Sequence, residues 1–439
     1  MGMLSPALSR RRALRTTFGW VAGLTLAARS ARAQESVEIK VQQAHAELWR
    51  RFIDENDILV DYADAQGGVP RATPEECRAG KPNALGWWTA TENGSMFNGM
   101  YLDGVVQRWK ATGAPADKAK AQRLVKGLLR LASLGPPGFI ARNVATDGRT
   151  PYPMGSDDQT GPWFYGLWRY LREGLAEPSQ RATIIDKFVE VARALESTGW
   201  RMPCNEGAPT PFRGTFAGHS WQHAPRLLFL LKATHALTGD AHWDSLYRAT
   251  AEERGGEPAQ SRAEICAGGM VFHKPNWRES WTGASSVIAL RGLWEMETDP
   301  ELRKAYAEGL AASAAMAAPG VPLALKFDND SRAAFLYEWR VLNEWWQPQH
   351  SEVEAVAVAE RQSKELGRLS PRRYQEFVHV REPIFAAWVL TLCPDAAVVA
   401  PHQEAIRATL AHYDYSRLNY SQFFPAEAAW YRLQAHAAA

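Results

Sequence analysis

The chain has 439 residues, of which 46% are hydrophobic and 22% charged, and its formal net charge is +2. This balance is typical of a globular protein with a large core, built as one large domain or two of ordinary size. No basic stripe interleaved with aromatic residues is present, so nucleic acid is not an expected partner. Trp is abundant at 18 residues, many of them beside Gly, Pro or Asn.

The first 33 residues have the pattern of a bacterial export signal. Ser9 to Arg15 follows the twin-arginine order, although Ala13 stands where Phe is usual, and an apolar run and the small residues Ala31 and Ala33 follow. We predict a signal peptide over 1–33, with an N-terminal anchor as the alternative, and a periplasmic or secreted domain over 34–439. Cleavage removes six Arg and no acid, which changes the formal charge from +2 to about −4. No apolar run of membrane length is then expected, and no membrane partner.

Helical patterns come in pairs along the mature chain, after an amphipathic segment at about 37–60. Within a pair the connections are short and carry Gly, Asp or Pro, which suit a helix end followed by a helix start. The predicted pairs are 93–111 with 117–134, 159–173 with 179–197, 220–237 with 241–253, 280–297 with 301–317, 332–344 with 352–367, and 382–392 with 402–413, before a last helix at 426–437.

Six polar segments stand where the first helix of each pair begins, at intervals of 50 to 66 residues. Such a period fits one helical hairpin per step. The connections between pairs are long, and loops of that length in a compact domain are usually functional. The six segments centre on Glu92, Asp157-Asp158, His219, Glu279, Asp330 to Arg332, and Arg381-Glu382.

Two architectures place paired helices in such a series. An open helical solenoid is one, but its units share more similarity than these pairs do. A closed ring of six hairpins, the all-α (α/α)6 barrel, is favoured, and it gathers the long loops and polar segments at one face. We therefore predict a single all-α domain whose site lies at that face.

These segments, the loop alternation and the turn Leu237-Thr238-Gly239-Asp240 resemble the six-hairpin glycosidase superfamily. The resemblance implies that the N-terminal ends of the inner helices form a saccharide pocket and that Asp or Glu there is catalytic. It points by position to Glu92, Asp157, Asp158 and Glu279. It implies no cofactor, and it leaves open the His and Tyr chemistry of related polysaccharide lyases.

The adjacent acids Asp157 and Asp158 precede an aromatic-rich helix that includes Trp163. A helix start favours one such acid as a cap, and two exceed that need. Glu92 follows the loop residues Trp87 and Trp88, which we interpret as a pocket wall. Flat, rigid Trp rings of this kind stack on sugar faces.

A second cluster runs from His273 through Trp277, Arg278 and Glu279 to Trp281. Its chemistry suits an acidic sugar, because Arg pairs with a carboxylate, Trp stacks on a ring and Glu transfers protons. The alternative is an ion pair at a helix start.

His219 and His223 stand four residues apart beside Trp221, but no third metal ligand is evident, so we predict no metal site. We interpret His219 and Trp221 as sugar-binding residues and His223 as structural. Arg381 is expected either to bind substrate or to pair with an acid across the pocket.

These residues predict an exported glycoside hydrolase that takes the end of an oligo- or polysaccharide and uses two carboxyl groups. Asp158 is the expected general acid or base, with Asp157, Glu92 or Glu279 as its partner. A uronate-specific polysaccharide lyase and a non-catalytic saccharide-binding protein are the alternatives. Four cysteines allow several pairings, of which Cys204 with Cys266 is the candidate.

Overall fold

A computed structural model describes residues 37–273 and 278–438, and most of them lie in helices, which confirms the all-α class. The predicted signal peptide over 1–33 and the side chain of Trp277 lie outside the described residues. The helices are α1 (37–47), α2 (Pro74–Arg78), α3 (Gly94–Thr112), α4 (Pro115–Leu131), α5 (Asp157–Arg172), α6 (Pro178–Ser197), α7 (Ala224–Thr238), α8 (Ala241–Glu252), α9 (Arg262–Gly268), α10 (Ser280–Met296), α11 (Pro300–Ala317), α12 (Glu352–Leu369), α13 (Pro371–Glu376), α14 (Glu382–Leu392), α15 (Ala396–Val399), α16 (Gln403–His412) and α17 (Pro425–Ala438).

Short elements occupy the connections between these helices. Strands β1 (Arg201–Pro203) and β2 (Phe212–Thr215) form one antiparallel hairpin, and β3 (Arg254–Gly255) and β4 (Gln260–Ser261) form another. The 3-10 segments are Ala318–Lys326, Trp339–Trp345, Ala400–His402 and Tyr415–Arg417, and π-helical turns occur at Leu48–Phe52 and Phe377–Arg381.

Six helices contact one another in a closed series. Helix α3 packs on α5, α5 on α7, α7 on α10, α10 on α14, α14 on α17, and α17 packs back on α3. These helices are apolar on most sides, and every residue of α14 is buried. Helices buried on all sides belong in the interior of a large protein. Helices α4, α6, α8, α11 and α16 pack against the members of this series.

Helices α3 and α5 approach each other closely, and two glycines account for it. A Cβ atom on Gly99 would collide with the carbonyl group of Pro162, and one on Gly166 would collide with the backbone of Gly99. The two helix backbones therefore meet where neither has a side chain. This contact fixes the relative positions of the two helix N-termini.

The predicted short turns are confirmed. Gly113 and Gly239 end α3 and α7 in the left-handed conformation, with φ of 64° and 71°. Asp240 and Asp299 cap the following helices α8 and α11 through their carboxylates. Local cap chemistry places these helix ends because every partner lies within a few residues.

The predicted helix over 332–344 is wrong. The backbone N–H of Leu336 bonds the Ser370 hydroxyl, and the N–H of Arg372 bonds the carbonyl of Ala334, so these groups pair across the fold. Phe335 packs edge-on against Tyr62. Only the following stretch coils, as the 3-10 segment Trp339–Trp345, and α17 provides the sixth helix of the closed series.

Two further expectations need correction. The segment Pro300–Lys326 is long and apolar enough to cross a membrane by length and composition, a test that core helices of soluble proteins also pass. Its helix α11 contacts α9, α10 and α14 in the fold. Cys204 and Cys266 are not bonded to each other, and all four cysteines are free and buried.

At the C-terminal ends of α3, α5, α10, α14 and α17 lies a polar cavity of about 790 Å³. Its charges neutralise one another: Arg432 bonds Asp103, Arg169 and Arg291 both bond Glu295, and Lys110 pairs with Glu173. These interactions connect α3, α5, α10 and α17 at this end of the fold. The cavity is therefore lined by groups that already have partners.

Candidate saccharide site

A smaller cavity, of about 250 Å³, lies at the opposite end of these helices, where α3, α5 and α10 begin. We call it the acid cavity because three carboxyl groups line it. It receives residues from the N-terminal ends of α3, α5 and α10, from the run that leads into α14, and from the loop before α17. Its lining residues are Asp61, Trp87, Trp88, Glu92, Asn93, Asp158, Trp281, Thr282, Arg373, Phe377, Arg381 and Gln422.

Hydrogen bonds tie the starts of α3 and α5 together beneath this cavity. Gln159 donates from Nε2 to Oδ1 of Asn93 at 3.1 Å, and its Oε1 accepts from the N–H of Met96 at 3.0 Å. Asp61 in turn accepts from the backbone N–H and the side-chain amide of Asn93, at 2.8 and 2.7 Å. Each of the amides Asn93 and Gln159 directly follows a cavity acid, so the network sets the spacing between Glu92 and Asp158.

Glu92 is placed to retain a proton. Its Oε2 accepts from the N–H of Trp88 at 2.8 Å. Burial raises the pKa of Glu92, and the charge of Asp158 adds to this effect while Arg373 opposes it. Burial and the neighbouring Glu92 also raise the pKa of Asp61 well above its ordinary range. A carboxyl whose pKa is raised in this way suits general acid catalysis.

Asp158 is open to the cavity, with 37% of its side chain exposed. Its Oδ1 is buried and has no hydrogen-bond partner among the described residues, and it lies 3.7 Å from Nη2 of Arg142. Arg142 also donates to the carbonyl of Glu92 at 3.2 Å and to the Ser156 hydroxyl at 2.9 Å. One buried guanidinium thus lies behind both acids and connects the two walls of the cavity.

Asp157 does not line the acid cavity. Its Oδ2 accepts from Arg226 at 2.7 Å, and Arg226 also bonds the Ser285 hydroxyl on α10. His223 lies 4.0 Å from the same carboxylate. The adjacent aspartates therefore separate into an ion pair that joins α5, α7 and α10, and a cavity carboxyl at Asp158.

Two tryptophans of the first loop, Trp87 and Trp88, form part of the wall of this cavity. The rings of Trp87 and Trp88 lie edge to face, 5.8 Å apart. Trp88 has a φ of 74°, a conformation that costs free energy in a bulky residue and that often marks a functional site. Its indole N–H donates to the carbonyl of Ala359 at 2.8 Å, and its carbonyl accepts from Tyr62. The fold thus holds this ring in a strained backbone position at the cavity.

On the opposite wall, Arg373, Phe377 and Arg381 follow one another at intervals of four residues. They share a face of the continuous helical run formed by α13, the π-helical turn and α14. The guanidinium of Arg381 lies 3.9 Å from the ring centre of Phe377 and 4.2 Å from that of Trp281. The guanidinium of Arg373 lies 5.0 Å from Phe377 and 4.9 Å from Trp88. π-Helical turns within helices occur frequently at functional sites.

A second cavity, of about 260 Å³, adjoins the first and shares Phe377 and Arg381 with it. Arg278 and Glu382 line it together with Leu323, Tyr374 and Val378. Burial raises the pKa of Glu382, although its Oε2 accepts from the N–H of Ser280 at 2.9 Å. The two cavities together form a cleft over the starts of α10 and α14.

The cluster predicted around Glu279 divides between this cleft and the surface. Glu279 accepts from His273 at 2.6 Å, and His273 in turn contacts Gln222 at 2.6 Å. Neither Glu279 nor His273 lines the acid cavity, whereas Trp281 does and Arg278 lines its neighbour. Trp277 lies outside the described residues.

Three other predicted residues lie away from the cavity, and two of them are in the core. Trp163 is fully buried, donates to the carbonyl of Leu128 at 2.9 Å and packs on Phe164. Its assignment to substrate binding is therefore wrong. Trp221 is 7% exposed and packs in the core, and exposed His219 contacts the Glu253 carbonyl at 3.3 Å.

Sequence reasoning missed Asp61, Asn93, Thr282, Arg373, Phe377 and Gln422. The spacing of Arg373, Phe377 and Arg381 is a helical signal that points to a shared face, and it was available from the sequence. Asp61 gave no such signal, since it lies in an irregular stretch and reaches Asn93 only through the tertiary fold. Gln422 belongs to the loop before α17, which was not assigned to the ring.

No group of His, Cys, Asp and Glu side chains suited to hold a metal ion occurs in residues 37–273 and 278–438. Comparison with protein-family models, curated proteins and solved structures gave no match.

Proposed function

We propose that the chain is an exported glycoside hydrolase on an (α/α)6-barrel scaffold, acting on the end of an oligo- or polysaccharide. The observation that carries this proposal is the pair Glu92 and Asp158, two carboxyl groups in one aromatic-walled cavity with different surroundings. Glycoside hydrolysis needs one carboxyl that delivers a proton and one that acts as a base or nucleophile. No cofactor is required for this chemistry.

The closed series of six helix contacts supports the barrel. In such a barrel the inner helices point the same way, so that their N-termini meet at one face. The polar cavity of about 790 Å³ is lined by the C-terminal ends of α3, α5, α10, α14 and α17. The residues at or just before the starts of the same helices surround the acid cavity. Helix α1 then belongs to the outer layer beside α17, where Gln42 bonds Tyr431.

Glu92 is the proposed general acid, because burial raises its pKa and a protonated carboxyl can donate to the leaving oxygen. Asp158 is the proposed base or nucleophile, since its partly exposed carboxylate faces the cavity beside Arg142. In the inverting form, Asp158 takes a proton from water, the water oxygen bonds the anomeric carbon, and the glycosidic oxygen leaves with the proton of Glu92. In the retaining form, Asp158 first bonds that carbon and water then replaces it.

A lyase on the same scaffold would need a His or Tyr base next to a uronate. The described residues that line the acid cavity include neither, which favours carboxyl chemistry there, while Tyr374 lines the adjoining cavity. A rise in ultraviolet absorbance from an unsaturated product would identify a lyase and contradict this proposal. Binding without turnover of any member of a broad glycan panel would identify a saccharide-binding protein instead.

The decisive experiment is a panel of oligo- and polysaccharides read by product mass, in which hydrolysis adds one water. On a substrate so found, Glu92→Gln and Asp158→Asn should each lower turnover by about 100-fold or more, since an amide cannot exchange the proton. Asp240→Asn is the matched control, because Asp240 is an acid at the start of the outer helix α8. Near-full activity in both cavity variants would overturn the assignment.

Export is proposed from Ser9 to Arg15 in 1–33. Arg10→Lys together with Arg11→Lys should leave the precursor in the cytoplasm, and the mature chain should begin near Gln34. Normal export of the double variant would remove the twin-arginine assignment.

A further inference from the structure

Two arginines of the acid cavity differ from the other buried arginines of the fold. Each of the others has a carboxylate within salt-bridge distance. Arg373 is 7% exposed, yet its guanidinium forms no salt bridge or hydrogen bond with any described residue. The buried arginines that do have partners are Arg51, Arg142, Arg169, Arg226, Arg262, Arg372 and Arg432.

Arg381, eight residues further along the same helical run, also lacks a salt bridge within the described residues, and its Nε is buried without a hydrogen-bond partner. Burial lowers the pKa of Arg381 to about 9, and the charge of Arg373 contributes to the shift. Two like charges therefore face one cavity, where they contact the aromatic rings of Trp88, Trp281 and Phe377 and interact through space, but form no salt bridge, with Glu92 and Glu382.

Such an arrangement is costly unless an anion completes it. A buried charge without a partner destabilises a fold, and the charge–ring contacts recover only part of that cost. Guanidinium groups bind carboxylates through paired hydrogen bonds, for which Arg is better suited than Lys. Because both side chains line the acid cavity, the missing partner is expected from the ligand.

We propose that Arg373 and Arg381 bind a carboxylate carried by the saccharide, so that the substrate is a uronate-containing glycan. The inference rests on the proposed function for the saccharide and on the two arginines for the carboxylate. Arg381 lines both cavities, which places the carboxylate near their boundary. The sugar ring then lies among Trp88, Trp281 and Phe377, with its scissile bond toward Glu92 and Asp158.

The charge balance favours a carboxylate over a sulfate or phosphate group. The carboxylate of Asp158 lines the same cavity, so a ligand of higher negative charge meets more repulsion. One carboxylate also neutralises only one of the two guanidinium charges. The second positive charge then offsets Asp158, whose closest cation in the described fold is Arg142.

Ligand binding tests the inference without requiring turnover. The probes are the methyl glycosides of glucuronic acid and of glucose, in both anomers, which differ only in a carboxylate or a hydroxymethyl group. Titration calorimetry should show the glucuronide binding about ten-fold tighter or more, the effect of a charge-assisted pair. Added salt should weaken this preference.

Variants then assign the preference to the two arginines. In Arg373→Gln and Arg381→Gln the glucuronide should lose its advantage while the weaker glucoside affinity persists. Arg303→Gln is the matched control, because Arg303 also stacks on a Trp ring, 4.8 Å from Trp294, but lies on the outer helix α11. Its thermal unfolding and ligand preference should match those of the wild type.

Several outcomes would overturn the inference. These are equal affinity for the two glycosides in the wild type, an undiminished preference in both arginine variants, and stronger binding of glucose 6-sulfate or inorganic phosphate. The wild-type comparison stands even where a variant does not fold. Hydrolysis of neutral glycans with no uronate preference would retain the proposed function and reject this inference alone.

Discussion

Gln159 donates a hydrogen bond to Asn93 at 3.1 Å, across the N-terminal ends of two helices. Each residue directly follows one of the two proposed catalytic acids in sequence. The distance between Glu92 and Asp158 is therefore set by a buried amide pair and by the glycine contact of α3 with α5 below it. Fixed geometry of this kind is worth several orders of magnitude in rate.

Gln159→Met tests this positioning role. Methionine keeps the length of the side chain but leaves Asn93 Oδ1 and the N–H of Met96 without partners. We expect the free energy of unfolding to fall by about 1–3 kcal/mol. We also expect kcat to fall by about ten-fold or more, with KM changed less.

Ser313→Ala is the control for this variant. Ser313 lies on helix α11, away from the acid cavity, and its hydroxyl accepts a buried hydrogen bond from the backbone N–H of Met270. This control should lower stability and leave kcat unchanged. Equal effects of both variants on kcat would reduce Gln159 to a purely structural role.

Gly99→Ala tests the close contact between α3 and α5. The added Cβ atom meets the Pro162 carbonyl group, and backbone cannot move aside as a flexible side chain can. We expect the free energy of unfolding to fall by about 2 kcal/mol or more in chemical denaturation. Gly367→Ala is the matched control, because no atom lies near its added Cβ, and it should stabilise α12 by about 0.5–1 kcal/mol. Equal stabilities would remove the glycine contact as the determinant of helix spacing.

Where a helix begins was predictable from the sequence to within a few residues when its start depends on local chemistry. Asp299 and Pro300, or Gly239 and Asp240, carry their own stop and start signals. The segment 332–344 failed because Ser370, more than thirty residues away, takes up the N–H of Leu336. Such a partner is invisible to a pattern that is read within one window.

Whether a predicted site residue reaches the acid cavity depends on its position along its helix. Trp281 stands in the first turn of α10 and reaches the acid cavity, whereas Trp163 stands in the second turn of α5 and enters the core. In α5 and α10 only the first turn borders the cavity, so the position of each tryptophan along its helix decides whether it lines the cavity or packs in the core. Asp157 and Asp158 are both in a first turn, and the rotation of the helix separates them.

A pair of tryptophan variants tests this division. Trp281→Ala should weaken glycoside binding by several-fold or more, because a stacking surface and the ring under Arg381 are lost. Trp163→Phe should lower the free energy of unfolding and leave binding unchanged, since the ring is buried and bonded to Leu128. Weaker binding in Trp163→Phe, or unchanged binding in Trp281→Ala, would contradict the assignment of wall and core. Calorimetric titration and denaturant unfolding give the two readouts.

Glu92→Gln tests the raised pKa of Glu92 through stability. A group whose pKa is raised in the folded state contributes stability at low pH, which is lost as the pH rises through the folded-state value. The amide does not ionise and keeps an acceptor for the N–H of Trp88. The Tm of the variant, relative to wild type, should therefore rise as the pH increases above the ordinary range of a carboxyl group.

Glu264→Gln is the control of opposite sign. Hydrogen bonds from Ser261 and Arg254 lower the pKa of Glu264, so its variant should lose Tm relative to wild type as the pH rises into the ordinary carboxyl range, and change no further above it. A flat difference for Glu92→Gln over the same range would show that Glu92 ionises as an ordinary surface acid does. It would also weaken its assignment as the general acid.

The last prediction concerns Asp103, at the other end of the ring. Its oxygens accept from Arg432 at 2.5 and 2.8 Å and from Tyr165 and Trp388 at 3.0 and 3.1 Å. Burial alone would raise the pKa of Asp103, but the charges of Arg432 and Arg169 outweigh it and hold the pKa at about 2. The stability that this lowered pKa provides is complete above the unfolded-state value and is lost as the pH falls toward about 2.

Asp103→Asn should therefore lower the free energy of unfolding by about 3–5 kcal/mol at pH 7, because it leaves Arg432 buried without its carboxylate. The difference in the free energy of unfolding between variant and wild type should narrow between about pH 4 and pH 2, where the wild-type carboxyl also becomes neutral. Urea unfolding across this range measures it. Asp244→Asn, which breaks the exposed pair with Arg248 on α8, should change stability little. A gap for Asp103→Asn that stays constant with pH would mean that packing, rather than charge, joins α3 and α17 at this end of the ring.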